Sequence, residues 1–132
     1  MENKIIDYRL SGKSLFELSE DDLHYAIDQI MLRGAAITGA PLPQTEFFAT
    51  FIFSELTIFL LEMGYAELTL AEILFALRLN SAGKMKYSDG DSVKVEFRGN
   101  CFNVDFVSNV LSAYMSMRNS VDRKLQNQID GF

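Results

Sequence analysis

Apolar side chains recur at helical spacing in four stretches of the chain, separated by polar and glycine-rich breaks. The first stretch opens at Ser19, a residue suited to capping a helix, with Glu20, Asp21 and Asp22 behind it, where carboxylates complement the helix dipole. Leu18 is spaced to staple onto Leu23, and Leu23, Ala26, Ile27, Ile30 and Met31 keep the helical period. Gly34 stands where a C-terminal cap belongs, so the helix is expected to close there. A linker over 34–42 follows. Pro43 then suits a first helical position, where its missing N–H costs nothing, and predicts a second helix over 43–63. Phe47, Phe48, Phe51, Phe53, Phe59 and six aliphatic residues cover well over half of its circumference, and Gln44, Glu55 and Glu62 form the leftover polar stripe. A helix that is apolar nearly all round is expected at the centre, contacted on several sides.

Leu68-Thr69-Leu70-Ala71-Glu72-Ile73 is a capping box with a staple, and predicts a third helix running to about Leu79. Beyond it the chain is polar to Asn100, with a turn signal at Ser88-Asp89-Gly90-Asp91. Val93, Val95 and Phe97 alternate with Lys94 and Glu96, as in a strand, and residues 84–87 are the nearest partner. Asn103 is placed to cap a last helix, whose Val104, Val107, Val110, Leu111, Tyr114, Arg118 and Val121 hold the period to about Lys124. Periodicity is weak over the first nineteen residues, and 1–13 and 126–132 have little to hold them. The pattern therefore predicts a mainly α fold. It is a compact bundle of about four helices with a small β-hairpin or extended excursion near 84–98, in a single domain over 1–132.

A chain of 132 residues with 48% apolar content, eleven of them Phe, can form one core without staples. Cys101 is the only cysteine, so no internal disulfide forms, and the N-terminus has charges in place of a secretory signal; both favour the cytoplasm. Phe47 to Met63 approaches the length of a membrane span, but Glu55 near its centre argues for a core helix and no membrane.

Little in the sequence carries chemistry. His24 is the only histidine, so a thiol dyad would need the fold to bring Cys101 to it, and one of each cannot make a zinc site. Asp89-Gly90-Asp91 resembles part of a calcium loop, but its glycine falls between the acids and no bidentate Glu follows at the required spacing. No phosphate-binding, dinucleotide or nucleophile-elbow motif occurs. No catalytic residue, metal or cofactor is expected, and the chain is read as a non-enzyme.

Charge is what remains. The net charge is −6, yet residues 14–72 hold ten carboxylates against Arg33 alone, while residues 73–132 hold eight basic groups against six acidic ones. The acidic face Glu20, Asp21, Asp22 and Asp28 suits an unknown protein partner. The basic segment with Arg78, Lys84, Lys86, Lys94 and Arg98, interleaved with Tyr87 and Phe97, offers the alternative of a nucleic-acid binder.

A resemblance adds to this. Glu67-Leu68-Thr69-Leu70-Ala71-Glu72-Ile73-Leu74-Phe75-Ala76-Leu77-Arg78-Leu79-Asn80, then a loop, then Phe102-Asn103-Val104-Asp105-Phe106, then Ala113-Tyr114 and Arg118 carry it. Over residues 65–118 the chain resembles small phage and mobile-element proteins of gut Bacteroidetes. It is more loosely similar to helicase-loader proteins of phage replication modules, in which a Leu-Thr-x-x-Glu-Ile helix precedes a loop and a second helix. The resemblance implies an accessory role in DNA replication and carries over no site residue.

Overall fold

In the computed structural model, residues 2–87 and 89–130 are described. Met1, Gly131 and Phe132, at the ends expected to be loose, and Ser88, in the expected turn, lie outside the described residues. The described chain is mainly helical: α1 Glu2–Leu10, α2 Glu20–Thr38, α3 Glu46–Glu62, α4 Leu70–Ser81 and α5 Val104–Asp130, with a 3-10 turn at Leu15–Glu17. One buried cluster draws on all five helices.

Helix α4 is the centre. Eight of its twelve residues are buried, including Ile73, Leu74, Ala76 and Leu77, and it packs against α1, α2 and α5. Its start is the capping box: Thr69 Oγ1 accepts from the Glu72 amide at 3.0 Å, and Glu72 Oε1 accepts from the Thr69 amide at 3.5 Å. Leu68 and Ile73 beside the box are both fully buried.

The apolar helix α3, expected at the centre, is instead peripheral. It buries only Ile52, Leu56 and Leu60, one ridge at i, i+4 and i+8, against α2 and α5. Hydrophobicity all round allows burial on every side but does not supply neighbours for it; in this chain the connected elements surround α4. Helix α3 also starts later than expected. Thr45 Oγ1 accepts from the Phe48 amide at 3.1 Å, so Thr45 is the cap and Pro43 precedes the helix.

Helix α2 runs through Gly34 to Thr38 and is capped by Gly39, in the left-handed region at φ 79°. Gly34 serves packing, not termination. A Cβ there would lie 2.6 Å from Phe102 Cζ and 3.2 Å from Leu77 Cδ1, so the missing side chain lets α2 cross the core closely. Ser19 caps α2 as its sequence predicts, accepting from the Asp22 amide at 3.2 Å.

Three further expectations are corrected. The N-terminal stretch with weak periodicity holds α1, which buries Ile5 and sets the Tyr8 ring 4.7 Å from Phe75. At the other end α5, with Asn103 Oδ1 accepting from the Phe106 amide at 2.8 Å, continues past Lys124 to Asp130. The hairpin near 84–98 does not form: among the described residues there is no strand, and within this segment only an isolated antiparallel bridge pairs Lys86 with Ser92. The physical reason lies in Asn80. Its carboxamide clasps the backbone of Val95, accepting from the amide at 2.8 Å and donating to the carbonyl at 2.9 Å. A buried side chain satisfies the extended segment where a second strand was expected.

Candidate functional site

Because α3 turns a single ridge inward, its other apolar residues face solvent. Phe47 is 76% exposed, Phe51 54% and Ile58 47%, and Phe48 and Met63 are exposed beside them. Phe47 and Phe51 touch edge to face with ring centroids 4.9 Å apart. Together with exposed Ser54 and half-buried Leu61, they occupy positions 47, 51, 54, 58 and 61, alternating steps of four and three along one helix face. Exposed apolar residues are ordinary when scattered; a row of them along one helix face is a candidate contact surface.

Beside this row, α2 and the start of α3 enclose an open trough of about 470 Å³. Its apolar walls include Met31, Leu32, Leu42 and Phe53, and its polar lining includes His24, Asp28 and Glu46. His24 Nε2 lies 3.5 Å from Asp28 Oδ2, and the imidazole packs on Phe53 at a centroid distance of 4.5 Å. Cys101 is buried and lines a different hollow, with Pro43, Gln44 and Phe48.

The structure divides the expected acidic face. Asp21 and Asp28, seven residues apart, share one side of α2 two turns from each other. Asp22 instead lines a smaller hollow with Ser11, Lys13 and Thr69, while Glu20 stands exposed at the helix start. Of the basic group, Arg78, Lys84, Lys86, Lys94 and Arg98 are all exposed. Their two aromatic neighbours part company: Tyr87 is exposed, but Phe97 is half-buried, packing edge to face on Phe106 at 5.8 Å against the core. A base-stacking platform would need both rings free.

The most concentrated polar chemistry is internal, and sequence reading passed over it. Glu72, 0% exposed, accepts at Oε2 from the Tyr114 hydroxyl at 2.7 Å and from Arg118 Nε at 2.9 Å. Arg118 Nη1 also donates to Glu67 Oε1 at 3.2 Å, and Thr69 Oγ1 donates to the Tyr8 carbonyl at 2.8 Å. A signal was present: Arg118 falls on the apolar stripe of α5, where a cation requires a buried partner. Among the described residues no buried side-chain nitrogen or oxygen lacks a hydrogen bond, so this cluster offers no open valence to a ligand. It ties α4 to α5.

Burial, then the hydrogen bond to Glu72 and its negative charge, push the Tyr114 phenol well above its ordinary value, against a smaller pull from Arg118 and Arg9. A raised pKa in the fold gives stability that is complete below the unfolded value of 10.0 and is lost as pH rises above it. Stability should therefore fall above that pH by about 1.4 kcal/mol per pH unit for this phenol. Tyr65, raised by burial alone, adds to the same alkaline loss. Denaturant melts at stepped alkaline pH should show a shallower slope in Tyr114→Phe than in the wild type; an unchanged slope would show that Tyr114 ionises freely in the fold.

Among the described residues no group of three or more His, Cys, Asp or Glu is placed to hold a metal ion, and no helix is long and apolar enough to cross a membrane. No protein-family model matches the chain, and neither a curated protein nor a solved structure matches it.

Proposed function

We propose that the chain is a non-enzymatic, cytoplasmic protein–protein interaction domain that docks its partner on the outward face of α3. The supporting observation is the row Phe47, Phe51 and Ile58, held in solvent on a helix whose inner ridge is already buried. Fully burying such a side chain is worth about 1.5–3 kcal/mol, and covering the part of each still in water contributes a share of that toward the cost of association. Asp28, which lines the trough beside this row, then acts at its margin, in place of a separate acidic site built with Asp21. On the resemblance of residues 65–118 to phage and helicase-loader proteins, the partner belongs to a DNA replication module of a phage or mobile element.

Nucleic-acid binding through Arg78, Lys84, Lys86, Lys94 and Arg98 is the second reading, supported by the exposure of all five cations. It is the weaker one, since Phe97 is half-buried with one ring edge against Phe106 and any phosphate must approach a chain of net charge −6. A photo-reactive phenylalanine at position 51, compared with one at position 78, separates the two in cells that make the protein. A discrete, nuclease-resistant protein adduct is expected from position 51. An adduct only at position 78, lost on nuclease treatment, would overturn the interaction reading.

A further inference from the structure

We infer that the outward face of α3 receives a basic amphipathic helix of another protein, paired in coiled-coil fashion along Phe47, Phe51, Ser54, Ile58 and Leu61. The inference rests on the interaction reading above and names the partner's chemistry. The four-three spacing of this row is that of a coiled-coil seam, so an apolar stripe of matching period on a second helix covers it fully. The seam leaves one small residue, Ser54, between the bulky pairs, where a partner's larger side chain can seat.

The charge of the flanks selects the partner. With the row in the a and d positions, Glu55 and Glu62 fall at e, directly beside the seam, and both are exposed. The opposite flank holds Thr50 and Thr57, and α3 contains no lysine or arginine at all. A second copy of this helix fits poorly. Packed antiparallel, it sets the glutamates of the two copies against each other; packed parallel, it sets them against threonine and leaves every carboxylate without a counter-charge. A helix with lysine or arginine along both sides of its apolar stripe neutralises Glu55 and Glu62 and meets the −9 balance of residues 14–72 as it approaches. The exposed ion pairs set specificity and the buried seam supplies the affinity.

The test uses the full chain and two synthetic helical peptides with leucine at every a and d position. One carries lysine at e and g, the other glutamate, and like charge keeps each from pairing with itself. In anisotropy titrations the basic peptide should bind about tenfold tighter than the acidic one at physiological salt, as several exposed ion pairs together supply. The preference should shrink at high salt. Glu55→Lys with Glu62→Lys should reverse it. Phe51→Asp is the decisive variant. It adds a negative charge, so binding driven by charge alone would strengthen, whereas docking on the seam should be lost. Three outcomes overturn the inference: equal affinity for both peptides, undiminished binding by Phe51→Asp, or a wild-type dimer in sedimentation that Phe51→Asp dissolves. If neither peptide binds while the position-51 adduct persists, the partner class is wrong and the interaction reading stands. Loss of that adduct removes both.

Discussion

Arg118→Met should destabilise the fold by about 3–5 kcal/mol, a cost typical of removing one partner from a buried ion pair. The guanidinium is nearly buried, and the carboxylate that it meets at 2.9 Å, Glu72, is entirely so. Methionine keeps most of the aliphatic bulk, so the loss reports the charge and not a cavity. What stays behind is an anion under the core with only the Tyr114 hydroxyl and the distant Thr69 amide to hold it. Adding Glu72→Gln should return a large part of the loss, because a neutral amide no longer needs the cation. The Glu67 contact is a minor part, since Glu67 is largely exposed and such pairs are worth about 0–1 kcal/mol. Urea denaturation with unchanged slope gives the values directly. A loss below about 1 kcal/mol for the single variant would mean that water reaches Glu72 and that the cluster is not the clamp between α4 and α5.

That clamp shows where sequence legibility ends. Three helix starts were readable because caps are local: Ser19, Thr69 and Asn103 each accept a hydrogen bond from an amide three residues ahead, whereas at α3 the proline signal at Pro43 masked the true cap, Thr45. Helix ends were less so. Gly34 looks like a stop by type, but Phe102, sixty-eight positions away, needs its missing side chain. The segment at 93–97 alternates as a strand does, yet a carboxamide on α4 holds it, and no local pattern announces that Asn80 will turn inward. Helix α1 escaped notice because its inward side is narrow, little more than Ile5 and Tyr8. The candidate site was legible in parts only. The acidic bias of residues 14–72 was plain, but the exposed row on α3 emerges from a packing choice between two apolar helices, α3 and α4. Both have enough hydrophobic surface for the centre. The chain gives that place to α4, between α1, α2 and α5, and α3 is left with a solvent-facing row.

The choice between α3 and α4 makes a pair of substitutions on α3 behave in opposite ways. Leu56→Ala should cost about 2–5 kcal/mol, because Leu56 is 1% exposed in the ridge with Ile52 and Leu60 and its loss leaves a cavity that the neighbours only partly refill. Phe51→Ala removes a larger side chain but one already more than half in water. Its main loss is the edge-to-face contact with Phe47, so the cost should stay within about 1 kcal/mol. Helix propensity favours alanine over phenylalanine by a few tenths of a kcal/mol and offsets part of that. Volume alone would predict the reverse order, which makes the comparison sensitive to which side of α3 faces the core. Thermal and urea unfolding of both variants, read by far-ultraviolet circular dichroism, decide it. If Phe51→Ala proved as costly as Leu56→Ala, α3 would be wrapped on both sides in solution and its outward row would be unavailable to any partner. If the costs separate as expected, Phe51 is free to be spent on binding, and Phe51→Asp remains a folded control for the peptide titration.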